Sequence, residues 1–187
     1  MITRKNIKEI IADSLKELMQ SIPLNNITVT DIVSNCGTSR QTFYRYYKDK
    51  YDVVNWIYSN LADKCISLLK NDLNWYAVCL ETLNQMEKEK YFYVNAINCE
   101  CQNSIVEIIF NHGMINCMEI FKTKNNALPT NDELEFALKF YLYGICKTGE
   151  DWAKSGMKLT SEQLAENMFM CMPDMLKPFL MKKDSNS

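Results

Sequence analysis

Apolar residues recur at spacings of three and four along nearly the whole chain, and no useful stretch alternates apolar and polar with period two. That pattern predicts an all-α protein. The first helix is expected over residues 3–20, with Ile7, Ile10, Ile11, Leu15 and Leu18 on one stripe and Lys8, Glu9, Lys16 and Glu17 facing water. Pro23 and the Asn25-Asn26 pair end it. A short second helix opens at TVTD, where Thr28 caps the N-terminus and Asp31 completes a capping box with a carboxylate in place of the usual Glu. Ile32 and Val33 supply its buried side, and Gly37 follows as a residue able to take positive φ. Ser39 then caps a third short helix, RQTFYRYY. Two short helices joined by a tight, Gly-containing turn are the sequence form of a helix-turn-helix.

A long helix runs from about residue 50 past 69, and others are expected near 74–87, 91–99, 104–122, 131–154 and 161–180, about nine in all. The clearest loops are 123–132 and 155–162, and neither is long enough to link separate domains. The expected division is residues 1–52 and 53–187, with the boundary at the start of the long helix, which would couple the two parts mechanically.

With 187 residues, 47% of them hydrophobic, the chain can bury a generous core without staples. It has no run of 18 apolar residues and no signal-peptide block, so a cytoplasmic protein with no membrane partner is expected. The eight cysteines are unevenly spaced with no CxxC pair, and read as small buried hydrophobes in a reducing compartment. The formal charge of −2 hides an asymmetry. Residues 1–52 hold eight Lys or Arg against six Asp or Glu, and the remainder thirteen against seventeen. A mildly basic end on an acidic body suggests an anion-facing surface.

Catalytic chemistry has little to work with. His112 is the only histidine, no Gly-rich loop could cradle a phosphate, and no paired carboxylates suit acid/base work. Cys99 and Cys101 would point about 200° apart on a helix. Metal or thiol sensing through Cys99, Cys101 and Cys117 is therefore the weaker alternative. No enzyme activity, cofactor or metal is expected.

On a helical wheel, Phe43 and Tyr47 of the third helix share one side, while Arg40, Gln41, Tyr44 and Arg45 cover an adjoining sector. Phe43 would anchor the helix, leaving guanidinium, amide and phenol groups facing outward. Those groups read base edges and grip phosphates. The competing reading, aromatics as core beneath a solvated charged face, loses ground to the preceding helix, turn and cap.

The segment ITVTDIVSNCGTSRQTFYRYYKDKYDVV resembles the DNA-binding domain of the TetR/AcrR family of bacterial transcription regulators, over about residues 6–57. The resemblance implies that Thr28, Thr42, Tyr44, Tyr46 and Lys50 contact phosphates. It also implies that Arg40 and Gln41 read bases, with Thr30 and Arg45 contributing. Tyr46 and Tyr47 stand where the family often has His and Phe, so the Tyr47 hydroxyl needs a partner.

Beyond residue 60 the likeness thins, but FYLYGICKTGEDWAKSGMKLTSEQLAENM is similar to the last two helices of the family's second domain. The similarity is to the subgroup resembling activators of dihydroxyacetone-kinase operons. It implies a homodimer built on those helices, with a stripe of Leu138, Tyr141, Leu142 and Ile145 and another of Leu164, Met168, Cys171, Met172 and Met175. Burial of both stripes within one subunit is the alternative. A small-molecule effector site would lie among helices four to eight, with Trp56, Trp75, Tyr76, Phe92, Tyr93, Phe110, Phe121 and Trp152 as candidates. The expectation is thus a homodimeric repressor on a near-palindromic duplex operator, switched by an effector in the C-terminal domain. The alternative is an activator, or an interaction module switched by a protein partner.

Overall fold

Side-chain caps decide where the helices begin. The computed structural model describes residues 6–70, 74–99, 105–124 and 132–181, and among them it holds ten α-helices and no strand. Helix α1, Ile7–Leu18, starts later than expected because Asn6 builds a capping box: its side chain accepts from the Glu9 N–H at 3.0 Å and the Glu9 carboxylate accepts from the Asn6 N–H at 2.8 Å. Thr3, the expected start, lies outside the described residues. After Pro23 the chain makes one 3-10 turn, Leu24–Asn26, before α2, Val29–Asn35.

Helix α3 is Arg40–Tyr46 and α4 is Lys50–Lys70. Next come α5, Trp75–Lys88, capped by Asn74, and α6, Lys90–Ile97. Helix α7 is Ile105–Lys124 and α8 is Asp132–Lys154; the expected starts at 104 and 131 lie outside the described residues, as does most of the expected loop 123–132. Helix α9 is Ser161–Met170, capped by Thr160.

The helix expected over 161–180 is not continuous. Pro173 offers no N–H, and the residue before a proline is pushed out of the helical region, so the chain leaves α9 after Met170. It resumes in a 3-10 turn, Asp174–Leu176, and a last short helix α10, Lys177–Leu180.

In the N-terminal unit Ile11, Leu15, Ile32, Phe43 and Val53 are fully buried. Sealing a side chain of this size from water contributes on the order of 2 kcal/mol each. The one polar group at this seam, Ser14, is satisfied: its hydroxyl donates to the Ile32 carbonyl at 2.8 Å and accepts from the Asn35 amide at 3.1 Å. In the larger unit α7 packs on α8, α5 on α9, and α4 on both α5 and α7, around Cys117, Phe121, Leu138, Leu164 and Leu176. No helix among the described residues is long and apolar enough to cross a membrane.

Candidate nucleic-acid interface and effector cavity

The two short helices owe their relation to local hydrogen bonding. Thr28 accepts from the Asp31 N–H at 3.2 Å, while Asp31 accepts from the Thr28 N–H and hydroxyl at 2.8 and 2.7 Å. The Thr28 hydroxyl and N–H hold the Asp31 carboxyl below the usual carboxylate range. At the other end of α2, Gly37 takes φ +67, the Gly37 N–H donates to Ser34 and the Thr38 N–H to Val33. These are the paired bonds of a Schellman stop, which needs a left-handed residue at that place. Ser39 then accepts from the Thr42 N–H at 3.1 Å and starts α3.

Helix α3 sits down on Phe43, fully buried, and on Tyr47, whose hydroxyl donates to the Lys8 carbonyl at 3.2 Å. The Tyr47 hydroxyl thus has its partner, and burial holds its phenol protonated well above the ordinary tyrosine range. Arg40, Gln41 and Arg45 are exposed, and Tyr44 is half exposed with its ring edge-on to Phe43 and the Arg40 guanidinium 6.0 Å from its centre. Thr30 is exposed on α2. One surface therefore carries several side chains able to donate to base edges and phosphates.

The remaining expected phosphate contacts are partly committed to the fold. The Thr42 hydroxyl lies 3.0 Å from that of Ser39, and Tyr46 is half-buried against the core. The Lys50 ammonium donates to the carbonyls of Asn25 at 2.9 Å and Ile27 at 2.7 Å, fixing the entry to α2.

A second contact joins this unit to the body, and nothing in the hydrophobic pattern announces it. Asn95 on α6 accepts from the Leu24 N–H at 2.8 Å and donates to the carbonyls of Met19 at 3.0 Å and Ile22 at 2.8 Å. Beside it Lys16 pairs with Glu89 at 2.6 Å, and the Cys99 thiol donates to Asn25 at 2.9 Å. The available signal was an Asn inside the otherwise apolar run FYVNAI.

A cavity of about 110 Å³ lies between α4, α5, α7 and α8, with Ile97 of α6 and Met168 of α9 also on its wall. Of the eight aromatic residues expected to line an effector site, Trp75 is on its wall. Trp56 packs on Tyr47, Tyr76 on Phe169, Phe92 on Tyr93, and Phe121 on Phe179, while the Trp152 N–H donates to the Leu159 carbonyl. Phe110 stacks on Tyr143 at 4.4 Å beside a shallow groove that shares Val106, Cys146 and Glu150 with the cavity. Large aromatics filled gaps, and small residues such as Ala62 and Gly149 line the space that is left, while Gly113 lets α7 pack closely on Leu142.

His112 lines the cavity and its Nε2 lies 2.9 Å from the Ser59 hydroxyl of α4. Burial pushes the thiols of Cys79 and Cys146 up to about 12, so both are neutral thiols. Cys117 is fully buried with its thiol raised for the same reason, and Cys101 lies outside the described residues. Among the described residues no three His, Cys, Asp or Glu side chains group to hold a metal.

The stripes expected at a subunit interface are largely covered within the subunit. Leu138, Tyr141, Leu142, Leu164, Met168 and Met172 are buried within the subunit, and the Tyr141 hydroxyl donates to the Met168 carbonyl at 2.7 Å. Ile145 is half-buried, leaving Met175 and Cys171 exposed. Helix α8 has a second apolar face that the wheel did not single out: Phe136, Phe140 and Tyr143, at 70%, 71% and 55% exposure, recur at i, i+4 and i+7. Periodicity establishes that a stripe exists, not which neighbour covers it.

Two family descriptions match the chain: "Bacterial regulatory proteins, tetR family" over residues 11–56, and "Transcriptional regulator C-terminal region" over residues 73–174. The HTH-type dhaKLM operon transcriptional activator DhaS of Lactococcus lactis subsp. lactis is 31% identical over 86 residues, 46% of either chain, so the match spans about half of that relative's length. The solved structure of a dihydroxyacetone kinase operon activator DhaS superposes with a TM-score of 0.69 at 22% identity, covering 92% of this chain and 97% of the other. The fatty acid degradation regulator FadR from Bacillus halodurans gives 0.63 at 17% identity, covering 93% and 97%. The Thermus thermophilus FadR repressor, solved with lauroyl-CoA, gives 0.57 at 15%, covering 96% and 98%.

Proposed function

We propose, from the premise that the chain belongs to the TetR family of transcriptional regulators, that it binds a near-palindromic operator as a homodimer and that an effector in the α4–α8 cavity changes its affinity for that operator. The observation that carries the reading is the exposed Arg40, Gln41, Tyr44 and Arg45 surface on a helix pinned by Phe43 and Tyr47. One such helix is too short for a specific affinity, whereas two copies reading half-sites about one helical turn apart supply it. Arg40 and Gln41 read bases with help from Thr30 and Arg45; Tyr44, Tyr46, Thr28, Thr42 and Lys50 position the backbone. Residues 1–52 form the reading unit and 53–187 the effector and dimer unit, and operator binding places the protein with the DNA in the cytoplasm.

The second copy sits on the α8 face of Phe136, Phe140 and Tyr143, because three large aromatics left in water on one helix face form an apolar patch that association would cover. The effector acts through α4 and α6, both of which touch the cavity and the reading unit. In the repressor form, effector binding releases the operator. Activation is the second reading, supported by the names of the two DhaS relatives. Selection from a random duplex pool tests the core of the proposal: enrichment of two inverted half-sites is expected, and a pool that stays random overturns it. A promoter fusion carrying the selected site, with and without the regulator, decides the sign.

A further inference from the structure

The cavity also speaks to the chemistry of its occupant. This step rests on the reading of the chain as an effector-switched regulator, and it concerns which molecules fit, not whether DNA is bound. Three observations converge on one class.

The first is size. At about 110 Å³ the space is somewhat smaller than an engineered apolar cavity of about 150 Å³ known to hold benzene, so its apolar part seats one ring before a ligand reaches the adjoining groove at Val106, Cys146 and Glu150.

The second is the absence of an unspent charge in its wall. Ala62, Val78, Leu83, Val106, Ile109 and Leu142 are among the apolar residues that line it. Most polar groups of the wall are already engaged, and the buried indole N–H of Trp75 is the one left without a hydrogen-bond partner among the described residues that line it. Thr82 donates to the Val78 carbonyl at 2.8 Å, His112 bonds Ser59, and the Asn116 amide donates to the His112 carbonyl at 2.9 Å. Glu150, at the rim, is paired with Lys154 at 2.5 Å and with Lys147 at 3.1 Å. A charged ligand would lose its hydration with no counter-charge to replace it.

The third is texture. Tyr58, Trp75 and His112 present ring surfaces, and Met86 and Met168 add polarizable thioethers that pack well against an aromatic edge.

We infer that the effector is a neutral, single-ring aromatic molecule. It seats between Tyr58 and Ala62 of α4 and Ile97 of α6. A polar substituent faces Glu150 and Lys147, where the cavity meets the groove beside the Phe110–Tyr143 stack. Seated there, the ring bears directly on the two helices that hold the reading unit.

The test is a titration of the full chain, followed by thermal melting and calorimetry, with toluene and phenol against benzoate, benzylammonium and dodecanoate. Toluene or phenol should raise the melting temperature in a saturable way and bind at least about tenfold more tightly than the charged rings, the difference set by desolvation. Filling the space with Ala62→Leu should weaken the neutral rings by about tenfold or more. Cys146→Leu, filling from α8, gives the same reading should Ala62→Leu not fold, which circular dichroism reports. Tighter binding of benzoate, benzylammonium or dodecanoate, no binding of either neutral ring, or undiminished binding in both filled variants overturns the inference. Operator affinity of the wild type, measured with and without phenol, separates the two layers. Binding of the ring with no change in operator affinity supports the ligand class and overturns the switch, whereas failure to bind any selected duplex refutes the proposed function itself.

Discussion

Replacing Asn95 with alanine removes three hydrogen bonds at once, one accepted from the Leu24 N–H and two donated to the carbonyls of Met19 and Ile22. Each is worth about 0.5–1.5 kcal/mol net, so the gross loss is about 1.5–4.5 kcal/mol. Two effects reduce it. Asn95 is half-buried, so water can reach some of the orphaned groups, and alanine in a helix recovers roughly 0.6 kcal/mol of propensity. The expected destabilisation is about 2 kcal/mol, read as a fall in the urea midpoint at unchanged slope. The functional consequence is sharper than the loss of stability. With Asn95 gone, α6 no longer holds the turn that leads into α2, so the ratio of operator affinities with and without effector should move toward one. Equilibrium urea unfolding and fluorescence anisotropy on a selected duplex measure both quantities. A stability change below about 0.5 kcal/mol together with an unchanged affinity ratio would show that the clasp neither holds nor couples the two units.

Three further outcomes follow from other parts of the fold. Gly37→Ala places a Cβ where φ is +67 but where nothing lies within 4 Å, so backbone strain alone should cost about 1 kcal/mol, seen in urea unfolding, and operator affinity should fall with it. Phe136→Glu with Phe140→Glu should give a monomer by analytical ultracentrifugation and weaken operator binding; a dimer that persists refutes the α8 face as the interface. The folded Asp31 carboxyl lies below its ordinary 3.8, so its capping box contributes stability that is present above 3.8 and lost as pH falls through the depressed value. Asp31→Asn should therefore flatten the acid limb of the thermal-melt profile, and an identical limb in wild type and variant contradicts that assignment.

How far the sequence alone carries the argument depends on the range of the interaction. Thr28, Asp31, Gly37 and Ser39 act within three to five residues, so the helix-turn-helix and its two stops were readable one residue at a time. The break at Pro173 was equally local and could have been read from the proline itself. Which apolar face of α8 is exposed was not, because Leu138 and Phe140 are both apolar and only the packing of α6 and α7 decides which one water meets. The cavity escaped for a related reason. Trp56, Tyr76 and Phe121 attract attention by size, yet size is what lets them close space, and the opening lies beside small residues such as Ala62 and Gly113. Asn95 acts across more than 70 positions of sequence, and no periodicity encodes its three partners.

The central claim is that α3 reads DNA, and the salt dependence of operator affinity tests it most directly. On a selected duplex, wild type should lose affinity steeply as salt rises, with the logarithm of affinity falling linearly in the logarithm of salt. The Arg40→Ala, Tyr44→Ala double variant should bind at least about tenfold more weakly, with a shallower slope and reduced preference over scrambled duplex. If wild type and double variant bind with the same affinity, slope and preference, α3 is not the reading helix and the account fails.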